Sequence, residues 1–220
     1  MAFRTMALVS QTYKSLGLDD PVDGITGTPQ VVLSLSFVLD RLIQKNEKLM
    51  VASKLKDTVS IFHGSRAPNL SIKQYIERIF KYAGCSPSAF LIAYIYMDRL
   101  FQRTGGHLTS LNVNRLLITT IMVAAKFIDD ACHNNDYYAK VGGISNAEMN
   151  KLELELLFNL DFRLFVTTEV FSKYCEQLGG ATIQEYQIQR PIDPRIYESW
   201  QDMDNTRSAA KLAGYGCRPL

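Results

Sequence analysis

Apolar residues recur along this chain at helical spacing, and no segment sustains the two-residue alternation of a half-buried strand. From Val31 to about Lys56, Val32, Leu35, Leu39, Leu42 and Ile43 mark one face, with Asp40, Arg41, Lys45, Glu47 and Lys48 outside it. After a loop holding Gly64 and Pro68, Ser71 and Gln74 have capping-box spacing, and Gly84 is placed to end the helix they open. Ser86-Pro87 predicts the next start, because proline suits a first helical turn, and Gly105-Gly106 the next stop. Ser110 is the expected opening of a fourth helix that runs to Asp130. A polar loop, His133-Asn134-Asn135-Asp136, and the run Tyr137 to Gly143 follow it. Ser145 with Glu148 has the spacing of a second capping box and predicts a helix from Met149 to Leu160. Thr167 can cap the last, which Gly179-Gly180 is expected to close. The pattern predicts an all-α globule of five core helices, with one more helix in front and irregular ends.

The helix expected from Ser110 differs from the others. Leu116-Leu117-Ile118-Thr119-Thr120 and Ile121-Met122-Val123-Ala124-Ala125 make it apolar on every side, which in a globular protein means a central, packed element. Lys126 stands near its end, followed by Phe127-Ile128-Asp129-Asp130. An ammonium there must find a partner or reach the surface, because burying it unpaired is very costly.

Composition narrows the field. At 220 residues with 47% hydrophobic and 21% charged side chains, the chain has a globular balance and enough length for a real core. A net charge of +2 is too weak to make phosphate-backbone binding its main business. The expected organisation is an N-terminal extension over 1–30, a helix over 31–56, a helical core over 70–178 and a tail over 179–220. In that tail Tyr186, Pro191, Pro194, Trp200 and Tyr215 either pack back on the domain or belong to a poorly ordered end, and the second is the expectation. The apolar runs after Met1 are too short for a signal peptide, and Asn112, Asn114 and Arg115 interrupt the only long apolar stretch. Cys85, Cys132, Cys175 and Cys217 are scattered without paired spacing, and none of the three histidines is at ligand spacing to another. No zinc site is expected, and reduced thiols inside a cell fit the pattern better.

Catalytic chemistry is scarce. Gly142-Gly143 lacks the Lys-Ser/Thr partner of a phosphate cradle, and Cys132-His133 reads as loop chemistry. Asp129-Asp130 is either a carboxylate pair for a metal or a helix end carrying solvated acids, and no further ligands accompany it. The informative charges are those inside apolar helices: Asp98, Lys126 and Glu153. Periodicity alone lets Asp98 and Arg99 flank each other at a surface, and lets Glu153 and Glu155 face solvent.

Three ordered runs change that reading: Tyr94-Ile95-Tyr96-Met97-Asp98-Arg99-Leu100, Ala124-Ala125-Lys126-Phe127-Ile128-Asp129-Asp130 and Met149-Asn150-Lys151-Leu152-Glu153. In this order they resemble the cyclin box, and most of all the small plant P-type or U-type cyclins, which are similar to the yeast cyclins of phosphate signalling. Ser71-Ile72 with Tyr75, Arg78-Ile79 and Lys81-Tyr82 looks like the first box helix, and the likeness extends from about Leu70 to Leu178. It implies a non-catalytic regulatory subunit that binds and activates a cyclin-dependent serine/threonine protein kinase, in cell division or phosphate signalling. It implies no cofactor, no nucleic acid, membrane or small-molecule partner, and a place in the nucleus or cytoplasm. The other reading, a cyclin-fold adaptor of a transcription complex or nucleic acid, calls for a second box and a basic face that are not visible.

The resemblance also assigns roles. Lys126 and Glu153 match the family's lysine and glutamate that meet at the surface and hydrogen-bond main-chain groups of the kinase. Apolar contacts carry over to Val123, Phe127, Leu157, Phe162 and Leu164, with Phe127 as the expected anchor. Asp98 matches an aspartate of a buried charge network, for which Arg78 is the candidate partner. The substrate-docking signature of cell-cycle cyclins is absent between Ser71 and Gly84, so recruitment by that route is not expected.

Overall fold

The computed structural model describes residues 12–18, 27–53 and 60–183. What the pattern predicts for residues 54–56, for the tail from Tyr186 to Tyr215 and for Cys217 therefore lies outside the described residues. Within them the chain is helical and without strands: α1 over 12–16, α2 Gln30–Ser53, α3 Ile72–Ala83, α4 Pro87–Thr104, α5 Val113–Ile128, α6 Asn135–Gly142, α7 Asn146–Asn159 and α8 Thr168–Ile183.

Local chemistry explains most boundaries. Ser71 and Gln74 form the reciprocal capping box at the start of α3, and Gly84 ends it at φ 61°. Ser86 accepts from the Ala89 N–H with Pro87 in the first turn of α4, and Gly105 closes that helix at φ 65°. Ser145 accepts from the Glu148 N–H at the start of α7, but the reciprocal half of the expected box is diverted. The Glu148 carboxylate instead meets Arg115 Nε at 2.5 Å, joining the starts of α5 and α7.

Three expectations are corrected. Ser110 does not open α5; it sits in a turn whose N–H donates to Glu47 Oε1, and the helix begins after Asn112. Asn112 spends its side chain on the Thr109 N–H and the His107 carbonyl rather than on a cap. The run Tyr137 to Gly143 belongs to a helix, α6, opened by Asn134 accepting from the Tyr137 N–H and closed by Gly143 at φ 73°. It is too short for its period to stand out. Gly179-Gly180 does not close α8, which continues to Ile183. A Cβ on Gly179 would lie 3.0 Å from Thr12 Cγ2, so that glycine admits α1 rather than ending a helix.

α4 and α5 pack side by side at the centre, with α3, α6 and α7 around α5 and with α2 across α3, α4 and α8. Leu116 through Ala125 are all buried, the full circumference that the sequence pattern demands. Thr119 and Thr120 enter this core because their hydroxyls donate to the carbonyls of Arg115 and Leu116, each at 2.7 Å. Gly142 lets α6 press on α5, since a Cβ there would lie 2.8 Å from Ile118 Cγ1. The Tyr75 hydroxyl donates to the Gly142 carbonyl at 3.1 Å and ties α3 to the same junction. Among the described residues no helix is long and apolar enough to cross a membrane.

Candidate functional site

α5 is buried up to Ala125 and emerges at its last turn, so the first polar residue beyond the core, Lys126, reaches the surface. α7 passes beside it and presents Glu153. Lys126 Nζ donates to Glu153 Oε1 at 2.7 Å, with the side chains 30% and 18% exposed. Periodicity alone left Glu153 facing solvent; the fold turns it toward the lysine.

Asn135, at the start of α6, completes the cluster. Its carbonyl oxygen accepts from Lys126 Nζ, and its amide donates to Glu153 Oε2 at 2.6 Å and to Asn150 Oδ1 at 2.7 Å. The ammonium has three donors and spends two here, which leaves one for a further acceptor. Each carboxylate oxygen of Glu153 takes one of these bonds and keeps further lone pairs. The cluster can therefore both donate to and accept from an arriving backbone. Sequence reasoning missed Asn135 and Asn150. The available signal was an asparagine in the loop that follows a helix ending in a charge.

The apolar residues expected around this pair divide. Phe127 is 48% exposed and Phe162 56%, while Leu157 and Leu164 are half-buried. Val123 is a correction: at 3% exposure it belongs to the core, because one turn before Lys126 the helix is still enclosed on all sides. Leu154, Phe158 and Phe165 are exposed and were not anticipated. Two of them were legible, since Met149, Leu152 and Leu156 mark the buried face of α7 and Leu154 and Phe158 recur on another. Phe158 and Phe162 meet edge to face, with ring centroids 5.4 Å apart.

Asp98 and Arg78 are not brought together. Arg78 reaches the Lys140 carbonyl at 3.5 Å, because α3 faces α6 there. Asp98 faces α8, where Oδ2 accepts from the Tyr174 hydroxyl at 2.6 Å and from Gln102 at 2.7 Å. Burial pushes the Asp98 carboxyl above the usual carboxylate range, against the opposing pull of the Tyr174 hydrogen bond and the neighbouring Arg99. Asp129, one of the two adjacent acids, accepts from the Ser86 N–H at 3.0 Å and joins the end of α5 to the start of α4. Among the described residues no group of three or more His, Cys, Asp or Glu is arranged to hold a metal ion.

The Cyclin family's sequence model matches residues 29–164, from the start of α2 to the turn after α7. Cyclin-P3-1 of Oryza sativa subsp. japonica is 56% identical over 184 residues, 83% of this chain and 78% of its own length. Cyclin-U1-1 of Arabidopsis thaliana is 48% identical over 170 residues, 73% of this chain and 81% of the relative. Cyclin-U3-1 of Arabidopsis thaliana is 43% identical over 197 residues, 87% and 88% of the two chains.

Proposed function

Because the chain belongs to the cyclin family and is similar to its plant P-type and U-type members, we propose that it is a regulatory subunit that binds and activates a cyclin-dependent serine/threonine protein kinase. One observation carries the kinase part of this reading. Lys126 and Glu153 meet at the surface with hydrogen-bonding capacity left over, beside the exposed ring of Phe127.

The proposed mechanism is a population shift. An inactive kinase holds the helix that carries its ATP-site glutamate out of register with the lysine that binds the nucleotide phosphates. A partner that binds only the inward position moves that equilibrium by its differential affinity. The ammonium of Lys126 would donate to a kinase carbonyl and the Glu153 carboxylate would accept a kinase N–H. Charge-assisted bonds of this kind in a drying interface contribute roughly 1.5–3 kcal/mol each. Phe127 would fill an apolar recess beside them and exclude water. In this reading the chain performs no catalysis itself, and it acts in the nucleus or cytoplasm, in cell division or phosphate signalling.

The test is direct. The chain is assayed for binding and activation against a panel of purified cyclin-dependent kinase catalytic subunits from Arabidopsis thaliana. One or more should be bound and activated by the natural chain, and neither bound nor activated by Lys126→Ala or Glu153→Ala with helix content and melting intact. Unchanged activation by both variants would overturn the assignment of this face.

A further inference from the structure

Between α7 and α8 the chain reverses through Asp161 and Phe162, both at φ 55°. This left-handed region is unfavourable for any residue with a Cβ, and two such residues in succession persist only where the surroundings over-determine them. Part of the determination is local: the Phe162 N–H donates to the Leu157 carbonyl at 2.9 Å and continues the end of α7. More of it comes from one turn of α4. The Tyr96 hydroxyl donates to the Leu164 carbonyl at 2.7 Å. Arg99 Nη1 donates to the Arg163 carbonyl at 2.7 Å, and Nη2 to the Phe165 carbonyl at 3.1 Å. Three successive carbonyls, 163 to 165, are thus held by two side chains spaced i and i+3 on one helix.

The clamp has a consequence for the surface. Phe162 immediately precedes the held segment and Phe165 is its last residue, and both rings stand exposed. Phe158, on the helix that carries Glu153, lies edge-on to Phe162. Exposed aromatics on a backbone already fixed cost little entropy to engage, which is the property of a preorganised contact. Tyr96 is fully buried and its phenol is pushed up by that burial, so it stays a neutral donor. The forked guanidinium of Arg99 can serve two carbonyls at once, which an ammonium cannot do with the same geometry.

We propose that Arg99 and Tyr96 are positioning residues for partner binding, locking residues 163–165 so that Phe162 and Phe165 are presented to the kinase. This rests on the kinase reading above and adds to it what holds the α7–α8 turn in place. A purely structural clamp would instead serve only to seat α8.

The experiment is a double-mutant cycle on affinity for the catalytic subunit of the panel that the natural chain binds most tightly. Arg99→Lys is measured in the natural background and in Phe162→Ala/Phe165→Ala, with melting followed in parallel. In the natural background it should weaken binding by about tenfold or more, and in the phenylalanine-free background it should add almost nothing. An equal loss in both backgrounds, or none while Lys126→Ala still abolishes binding, overturns the inference and leaves the kinase reading standing. Unchanged binding by Lys126→Ala and Glu153→Ala overturns that reading instead. Should Arg99→Lys fail to fold, Tyr96→Phe removes one hydroxyl from the same clamp and must give the same coupled pattern, or the inference fails.

Discussion

Lys126 Nζ and Glu153 Oε1 lie 2.7 Å apart, joining the last turn of α5 to the middle of α7. The two residues are 27 positions apart in sequence, and Asn135 of α6 contacts both. Three helices therefore converge on one polar cluster at the point where the central helix leaves the core. Because the cluster is partly solvated, it is a weak contributor to stability and is well placed to be spent on a partner.

The coupling between the two charges should be small in the isolated protein. A double-mutant cycle of Lys126→Met and Glu153→Gln, followed by urea unfolding, should give about 1 kcal/mol or less, falling as salt is raised. A coupling of several kcal/mol, insensitive to salt, would mean that the pair is a sealed structural bridge rather than an open contact.

Val123 and Phe127 lie one turn apart on α5 and should respond in opposite ways. Val123→Ala removes buried methyl groups and should cost about 2 kcal/mol of stability while leaving kinase affinity unchanged in the folded fraction. Phe127→Ala should cost less than about 1 kcal/mol, because the ring is half exposed, and should weaken kinase binding by about tenfold or more. Denaturant melts and binding isotherms on both variants decide the matter.

Asp98 should make the protein less stable as pH rises out of the acid range. Burial raises its folded-state carboxyl above the unfolded value of about 3.9, so between those two values the folded protein binds the extra proton. Stability from this group is greatest below the unfolded value and is lost as pH climbs through the folded one. Tyr174 from α8, with Gln102, Arg99 and Tyr94 from α4, surrounds it and tempers the effect. The stability of the natural protein minus that of Asp98→Asn should fall from pH 4 toward neutrality in urea titrations. A rising difference would show that the Tyr174 bond outweighs desolvation.

The thiols should separate sharply in reactivity. Burial pushes Cys85 and Cys175 up to about 12, which leaves almost no thiolate at pH 8, whereas Cys132 is exposed in the loop after α5. Iodoacetamide at pH 8 with peptide mapping should find Cys132 alkylated in the native protein, and Cys85 and Cys175 only after denaturant is added. Equal labelling of Cys85 and Cys132 would contradict the packing of the α3–α4 turn.

Helix existence was legible wherever caps and periodicity agreed, as at Ser71-Gln74, Ser86-Pro87, Gly84 and Gly105. It was not legible at α6, whose eight residues carry little period, nor at Gly179, whose missing side chain serves α1 rather than a helix end. Glu148 has capping-box spacing yet pairs with Arg115, because a cation from another helix outcompetes a backbone N–H at the surface. In the site, periodicity marked Lys126 as anomalous, and only the ordered motifs matched it to Glu153. The same motifs proposed Arg78 for Asp98, and the packing of α3 on α6 took that arginine elsewhere.

What the amino-acid sequence determined by itself was local: which stretches coil, where their caps lie, and that α5 must be enclosed, since these follow from short-range hydrogen bonds and from the period of apolar residues. The tertiary structure alone decided which polar groups meet. Asn135 between Lys126 and Glu153, Tyr174 on Asp98, and Tyr96 with Arg99 on the carbonyls of 163–165 all join helices distant in the chain. Such pairings are set by how buried faces interlock, because a polar side chain at the edge of a core bonds with whatever that packing brings within about 3 Å.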